Sequence, residues 1–117
     1  MADCIFCKIV AGELPADKVW EDEHALAFRD IRPIAPVHVL IVPKVHRESF
    51  ADVTNADTPF LASLARAIRE IAEKEGVADS GYRIIANTGP DGGQEVFHLH
   101  VHLLGGRPLG PMLAKKG

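Results

Sequence analysis

The run Phe97-His98-Leu99-His100-Val101-His102-Leu103-Leu104-Gly105-Gly106 constrains this chain most, because histidine recurs at every second position among residues suited to a buried strand. A strand sends successive side chains to opposite faces. The pattern therefore puts His98, His100 and His102 on one face and Phe97, Leu99, Val101 and Leu103 on the other. One face packs, and the other is polar.

Three readings of the row compete. A solvated strand face that happens to be histidine is the plainest, and the regularity of so uncommon a residue weighs against it. A metal site is stronger, since two imidazoles of a His-x-His strand can reach one zinc ion with Zn–N of about 2.0–2.1 Å. All three cannot do so, because His98 and His102 lie roughly 13 Å apart at a strand rise of about 3.3 Å per residue. In the third reading the rings divide the roles of nucleophile, proton donor and orienting group, as groups with a near-neutral pKa can.

The chain of 117 residues is long enough for one ordinary core, and its 47% hydrophobic and 25% charged residues read as one soluble globular domain over residues 1–117. A formal charge of −3 gives no basic footprint for a nucleic-acid backbone. No apolar run has the roughly 18 residues of a membrane span, and Met1-Ala2-Asp3-Cys4 lacks a basic-then-apolar export signal, so a cytoplasmic protein without a membrane partner is expected.

The two cysteines form Cys4-Ile5-Phe6-Cys7. In a reducing compartment this spacing favours metal or redox chemistry over a structural disulfide. A redox pair of this kind usually follows a strand of a βαβ unit, and none precedes it here. The pair supplies half a zinc site, and the six histidines are the candidates for the rest.

Apolar spacing predicts a short helix over 4–11, ending near Gly12, and a long one that starts at Thr58-Pro59, carries Leu61, Leu64, Ile68 and Ile71 on one stripe, and stops at Gly76. Strands are expected over 19–22, 25–30, 38–43 and 82–87, with Asp22-Glu23-His24 turning the first pair, and the histidine run makes a fifth. Without regular βα alternation the fold class is α+β, with an antiparallel sheet. One helix leaves a sheet face short of cover, which a symmetric dimer would supply. Trp20 reads as a packing residue, His24 as an exposed turn residue, and Lys115 and Lys116 as a fraying end.

The loop Asn87-Thr88-Gly89-Pro90-Asp91-Gly92-Gly93-Gln94-Glu95-Val96 can simply turn the chain between strands. Its glycines also let backbone N–H groups approach an anion, as in phosphate-binding nests. Its place directly before the histidines favours the second role, since a phosphate held there would lie within reach of an imidazole.

His-Leu-His-Val-His followed by two apolar residues and Gly-Gly resembles the signature of the histidine triad (HIT) family of nucleotide-binding proteins and hydrolases. Ile5-Phe6, Phe28-Arg29-Asp30-Ile31, Ala35-Pro36-Val37-His38, Gly92-Gly93-Gln94-Glu95-Val96 and Gly106-Arg107-Pro108-Leu109-Gly110-Pro111-Met112-Leu113 look like its Hint branch in bacterial form, so the resemblance runs nearly end to end.

The resemblance implies a HIT-like fold, a five-stranded antiparallel sheet with one long and one short helix, joined in a homodimer into a ten-stranded sheet. It implies cleavage of purine nucleoside 5′-phosphoramidates, including adenylylated lysine, through a nucleotidyl-histidine on His100. His102 would contact phosphate and leaving group, and His38 would belong to the surrounding network. Asp30 would hold the ribose. Ile5, Phe6, Ile9, Leu14, Phe28 and Ile31 would form the base pocket, with Arg29 at its edge. Asn87, Gly93, Gln94, Glu95 and Val96 would line the phosphate side, although some members have serine where this chain has Glu95. No cofactor is needed for such chemistry. A structural zinc is implied by the subset of the family in which Cys4, Cys7, His46 and His98 are the ligands. In bacterial relatives the tail influences which leaving groups are accepted. The alternatives are a dinucleoside polyphosphate hydrolase, or a nucleotide-binding interaction protein with vestigial turnover.

Overall fold

The computed structural model describes residues 4–114; the expectations that fall on Met1 to Asp3 and on Lys115 and Lys116 lie outside the described residues. Five strands, β1 (Lys18–Glu21), β2 (Ala25–Arg29), β3 (Val37–Pro43), β4 (Tyr82–Ile85) and β5 (Val101–Gly105), form one antiparallel sheet in the order β1-β2-β3-β5-β4. Two α-helices, α1 (Ile5–Val10) and α2 (Thr58–Lys74), and two single-turn 3-10 helices, Phe50–Asp52 and Asn55–Asp57, complete the described fold. The α+β sheet with one long and one short helix is thus the architecture expected. Among the described residues no helix is long and apolar enough to cross a membrane.

β3 is central because its run Val37-His38-Val39-Leu40-Ile41-Val42-Pro43 is buried at every position. Its alternate residues feed two cores. Val37, Val39 and Ile41 join Ala25, Ala27, Leu99, Val101 and Leu103 under α2. Leu40 and Val42 join Leu26, Phe28, Phe6 and Ile9 under α1. Each fully buried Leu or Ile contributes about 1.5–3 kcal/mol relative to exposure, so both faces of β3 are fixed firmly.

α2 begins at Thr58-Pro59 and is followed by Gly76 in the left-handed region (φ 76°), as its start and stop residues require. Its buried row matches the expected stripe in part. Phe60, Ser63, Ala67 and Ile71 face the sheet, Leu64 and Ile68 pack at the margin, and Leu61 is 37% exposed. Small Ser63 and Ala67 let the helix approach closely, and Ser63 Oγ finds Asp22 as its partner. Trp20 packs against this core with its indole N–H on Glu70 Oε1 (2.9 Å), while His24 in the β1–β2 turn is half-buried.

The histidine run is strand only from Val101 onward. Residues 96–98 bend, and Phe97 is 54% exposed where a packed residue was expected. β4 also stops at Ile85, two residues early, with its last rung on His102, one residue from the start of β5. The faces still alternate: Leu99, Val101 and Leu103 lie in the α2 core, and the three histidines turn toward α1. The missing rungs leave the space in which the site is built.

Candidate active site

A cavity of about 410 Å³ opens on the α1 side of the sheet, within the range of small-molecule sites. His38, Leu40, Ile85, His102 and Leu104 form its sheet wall, His100 and Phe6 lie at one end, and Asn87, Gly93, Glu95 and Val96 supply the loop side. Asp30, Arg32 and Ile34 close the rest. Nine residues expected at the site are therefore together: His38, His100, His102, Phe6, Asp30, Asn87, Gly93, Glu95 and Val96.

The remaining candidates are placed differently. Ile9 and Phe28 are buried behind the wall, where Phe6 meets Phe28 edge-on (5.6 Å between centroids). Ile5, Leu14 and Ile31 are exposed, Ile31 at 91%. Arg29 departs from its expected place at the edge of a base pocket. Because Phe28 faces α1, strand alternation sends Arg29 to the other face, where it bonds Glu75 at the end of α2 through Nη1 and Nη2 and meets Asp17 Oδ2 through Nε at 3.2 Å. Gln94 is buried behind the loop: its amide oxygen accepts from Gly89 N–H (2.9 Å), and its amide nitrogen donates to the carbonyls of Glu48 (2.6 Å) and Val96 (3.0 Å). It holds the loop rather than lining it. Leu40, Ile85 and Leu104, which sequence reasoning missed, follow from the same two-residue period once the register pairs His102 with Leu40 and Ile85.

The loop needs its glycines. Gly93 has φ 83°, and a Cβ on Gly92 would lie 2.4 Å from the Thr88 carbonyl oxygen. The N–H groups of Gly93 and Gln94 close the turn on the carbonyls of Pro90 and Gly89. Among the described residues the N–H groups of Glu95 and Val96, which line the cavity, have no such partner and are available to an anion.

Backbone groups fix each imidazole tautomer. Ile34 N–H donates to His38 Nδ1 (3.2 Å), which puts the His38 proton on Nε2, from where it is donated to His102 Nδ1 (2.9 Å). His102 then carries its own proton on Nε2. His100 donates from Nδ1 to the His98 carbonyl oxygen (2.8 Å), leaving Nε2 with a free lone pair. One ring thus offers a nucleophilic nitrogen to the cavity and its neighbour, 5.0 Å away between centroids, offers a proton. Asp30, His38 and His102 are also close enough to hold an ion. The proton between the two rings makes them a hydrogen-bonded relay instead, with Asp30 Oδ2 3.5 Å from His38 Nε2.

Burial keeps His38 and His102 neutral. It lowers the His38 pKa against the opposing Asp30 charge. It pushes His102 down to about 4, helped by the neighbouring His100 and His38.

The third histidine belongs to a second cluster. Cys4, Cys7, His46 and His98 bring four ligand atoms within 4.8 Å of one another. His98 Nδ1 lies 3.2 Å from Cys4 Sγ and 3.4 Å from Cys7 Sγ, and His46 Nδ1 lies 3.3 Å from Cys7 Sγ. Tetrahedral zinc with ordinary bond lengths sets sulfur and nitrogen about 3.6 Å apart, so two thiols and two imidazoles fit with small adjustment. His98 Nε2–H donates to the Pro43 carbonyl (3.0 Å), which keeps the Nδ1 lone pair toward the sulfurs. Without a cation, burial pushes the Cys7 thiol up to about 11, with the Cys4 hydrogen bond and charge adding to it.

A HIT domain model matches residues 11–109. The chain belongs to the HIT family. Its relatives include the purine nucleoside phosphoramidase of Escherichia coli K12, 50% identical over 98% of this chain and 97% of that one, and the protein HitA of Neisseria gonorrhoeae, 48% identical over 90% and 97%. Among solved HIT structures, a HIT family hydrolase from Clostridium thermocellum superposes with a TM-score of 0.92 at 45% identity, covering 97% of this chain and 99% of the other. A histidine triad protein from Clostridium difficile gives 0.91 at 45% identity, covering 97% and 98%.

The depressed pKa values make stability depend on pH. The unfolded chain takes up protons on His38 and His102 below about 6.5 that the folded HIT domain refuses until lower pH, down to about 4 for His102. Stability is therefore complete above that window and lost as pH falls through it. Urea midpoints measured between about pH 7 and about pH 5 are expected to fall, and His102→Asn to flatten the slope by up to about 1.4 kcal/mol per pH unit. Equal slopes for variant and wild type would show that His102 is not buried neutral.

Proposed function

We propose that this HIT chain hydrolyses purine nucleoside 5′-phosphoramidates, conjugates of AMP or GMP with an amine such as the lysine side chain, through a nucleotidyl intermediate on His100. The observation that carries the reading is the opposite protonation of His100 Nε2 and His102 Nε2 in one cavity. The activity named for the relative from Escherichia coli supports it.

The nucleotide enters with its ribose hydroxyls on Asp30 and its phosphate on the Glu95 and Val96 N–H groups. The base stacks at Phe6 and covers the exposed apolar rim of Ile5, Leu14 and Ile31, surface that otherwise faces water. Arg29 has no part in this. The His100 lone pair attacks phosphorus, the bond to the amine breaks, and the amine leaves with the proton of His102 Nε2. The anionic phosphate beside His102 opposes the effect of burial and favours its protonated form when substrate is present. His38 and Asp30 pass a proton from solvent to replace the one given up. Water then attacks the phosphoryl-histidine and releases His100, returning that proton. No step requires a metal.

Zinc on Cys4, Cys7, His46 and His98 would be structural: with four protein ligands it has no open position, and it would clamp α1 to the 44–48 loop and the histidine segment. The chain is proposed to be a cytoplasmic homodimer whose sheets join at β4. That strand is at the sheet edge, and α2 lies over β1, β2 and β3, leaving Tyr82 and Ile84 each 39% exposed.

His100→Ala is expected to retain nucleotide binding and lose turnover of an adenosine phosphoramidate by roughly 10⁴-fold or more, while His102→Ala loses about 10²–10⁴-fold. Full activity in His100→Ala refutes the mechanism. Faster turnover of a diadenosine polyphosphate would assign the protein to the other hydrolase class, and binding without turnover of either would make it an interaction module. Protein purified without chelator should contain one zinc per chain, and a metal-free, fully folded preparation would remove the structural role. Sedimentation should give a dimer mass, and a monomer at micromolar concentration would contradict the joined sheet.

A further inference from the structure

The segment that carries His100 is held in an unusual way. Residues 96–100 precede β5 without a strand partner. Leu99 N–H donates to the Arg47 carbonyl (2.6 Å), next to His46, and the His98 ring is fixed between the two sulfurs and the Pro43 carbonyl. The His98 carbonyl in turn sets the His100 tautomer. Phe6, between the two cysteines in sequence, stands edge-on to both rings, at 5.9 Å from His98 and 5.2 Å from His100. Movement of the cysteine turn therefore reaches His100 along two paths.

We propose that Cys4 and Cys7 form a thiol switch: a hydroperoxide joins them as a disulfide, dismantles the Cys4/Cys7/His46/His98 centre and slackens the segment that holds His100. The proposal rests on the reading of these four residues as a metal centre and of His100 as nucleophile. Both sulfurs approach the same His98 nitrogen, both cysteines are only half-buried, and the chain has no third cysteine to compete. In the reaction each sulfur gives up one electron and the S–S bond forms as the peroxide O–O bond breaks. Two protons, from the thiols or from solvent when the sulfurs are metal-bound, complete two waters from hydrogen peroxide. Sulfurs sharing a tetrahedral zinc lie about 3.8 Å apart, and a disulfide draws them to about 2.05 Å. The cysteine turn must move, and Phe6 with it. Neither sulfur can then serve as a thiolate ligand.

The test uses the zinc-loaded full chain treated with hydrogen peroxide. Intact mass and peptide mapping should show loss of two hydrogens in a Cys4–Cys7 link, and a chromogenic chelator should capture the released zinc. Amide exchange at Leu99 and His100 should accelerate while that of β3 holds. Turnover of an adenosine phosphoramidate should fall about tenfold or more, and dithiothreitol with zinc should restore it. Cys4→Ser should form no link. A disulfide that leaves Leu99 exchange and turnover unchanged overturns the coupling, and oxidation that stops at a sulfinic acid on one cysteine overturns the switch. A reduced enzyme with no turnover at all counts against the proposed reaction, and the mass and exchange measurements then decide the switch by themselves.

Discussion

Hydrogen bonds between rigid backbone groups and imidazole nitrogens decide what His38, His98 and His100 can do, and through His38 what His102 can do. The Ile34 N–H, the His98 carbonyl and the Pro43 carbonyl each occupy one nitrogen of one ring, and the other nitrogen takes the complementary role. Each such bond adds only about 1 kcal/mol of net stability. The wrong tautomer would instead leave a buried donor facing a donor, and that asymmetry selects one proton arrangement. Two of the three backbone groups flank or end β3, the strand packed on both faces, so the accuracy of the site derives from the part of the sheet with least freedom to move.

Burial and charge oppose each other across the His38–Asp30 pair, and burial prevails for a geometric reason. The His38 side chain is 4% exposed and that of Asp30 22%, with 3.5 Å between Nε2 and Oδ2. Water screens the partly open carboxylate and cannot reach the ring. The free site thus rests with His38 and His102 neutral. An arriving phosphate brings negative charge into a volume where it is poorly screened, so the substrate itself shifts the site toward its acidic form.

Much of this was legible in the sequence because it depends on local periodicity. The alternation of residues 98–103 gave the faces correctly, though Phe97 escaped it, and β3, both helices and the glycine turn follow from residue types that permit little else. The stripe of α2 is right at Ile71 and shifted toward the margin elsewhere, because hydrophobicity alone favours Leu61 over Ser63 and Ala67, whereas close approach to a sheet favours small residues. Arg29 was placed at the base pocket by the resemblance alone, whereas strand alternation sets it on the face opposite Phe28. The tautomers could not be read at all. They depend on Ile34 and Pro43, residues whose side chains carry no chemistry, through backbone groups that only the folded chain brings to the rings.

The bend at 96–98 explains why one histidine row serves two sites. His98 keeps the face of His100 and His102 but lies farther along the segment. There its ring meets the Pro43 carbonyl and the cysteines, while its own carbonyl stays behind His100. A strand partner would have supplied ladder hydrogen bonds along 97–100 and closed the opening the cavity occupies. The cysteine–histidine cluster and the Leu99–Arg47 bond replace that partner from the side, restraining the nucleophile segment without covering it. The irregularity is thus the condition for having both a cavity at this position and a nucleophile held beside it.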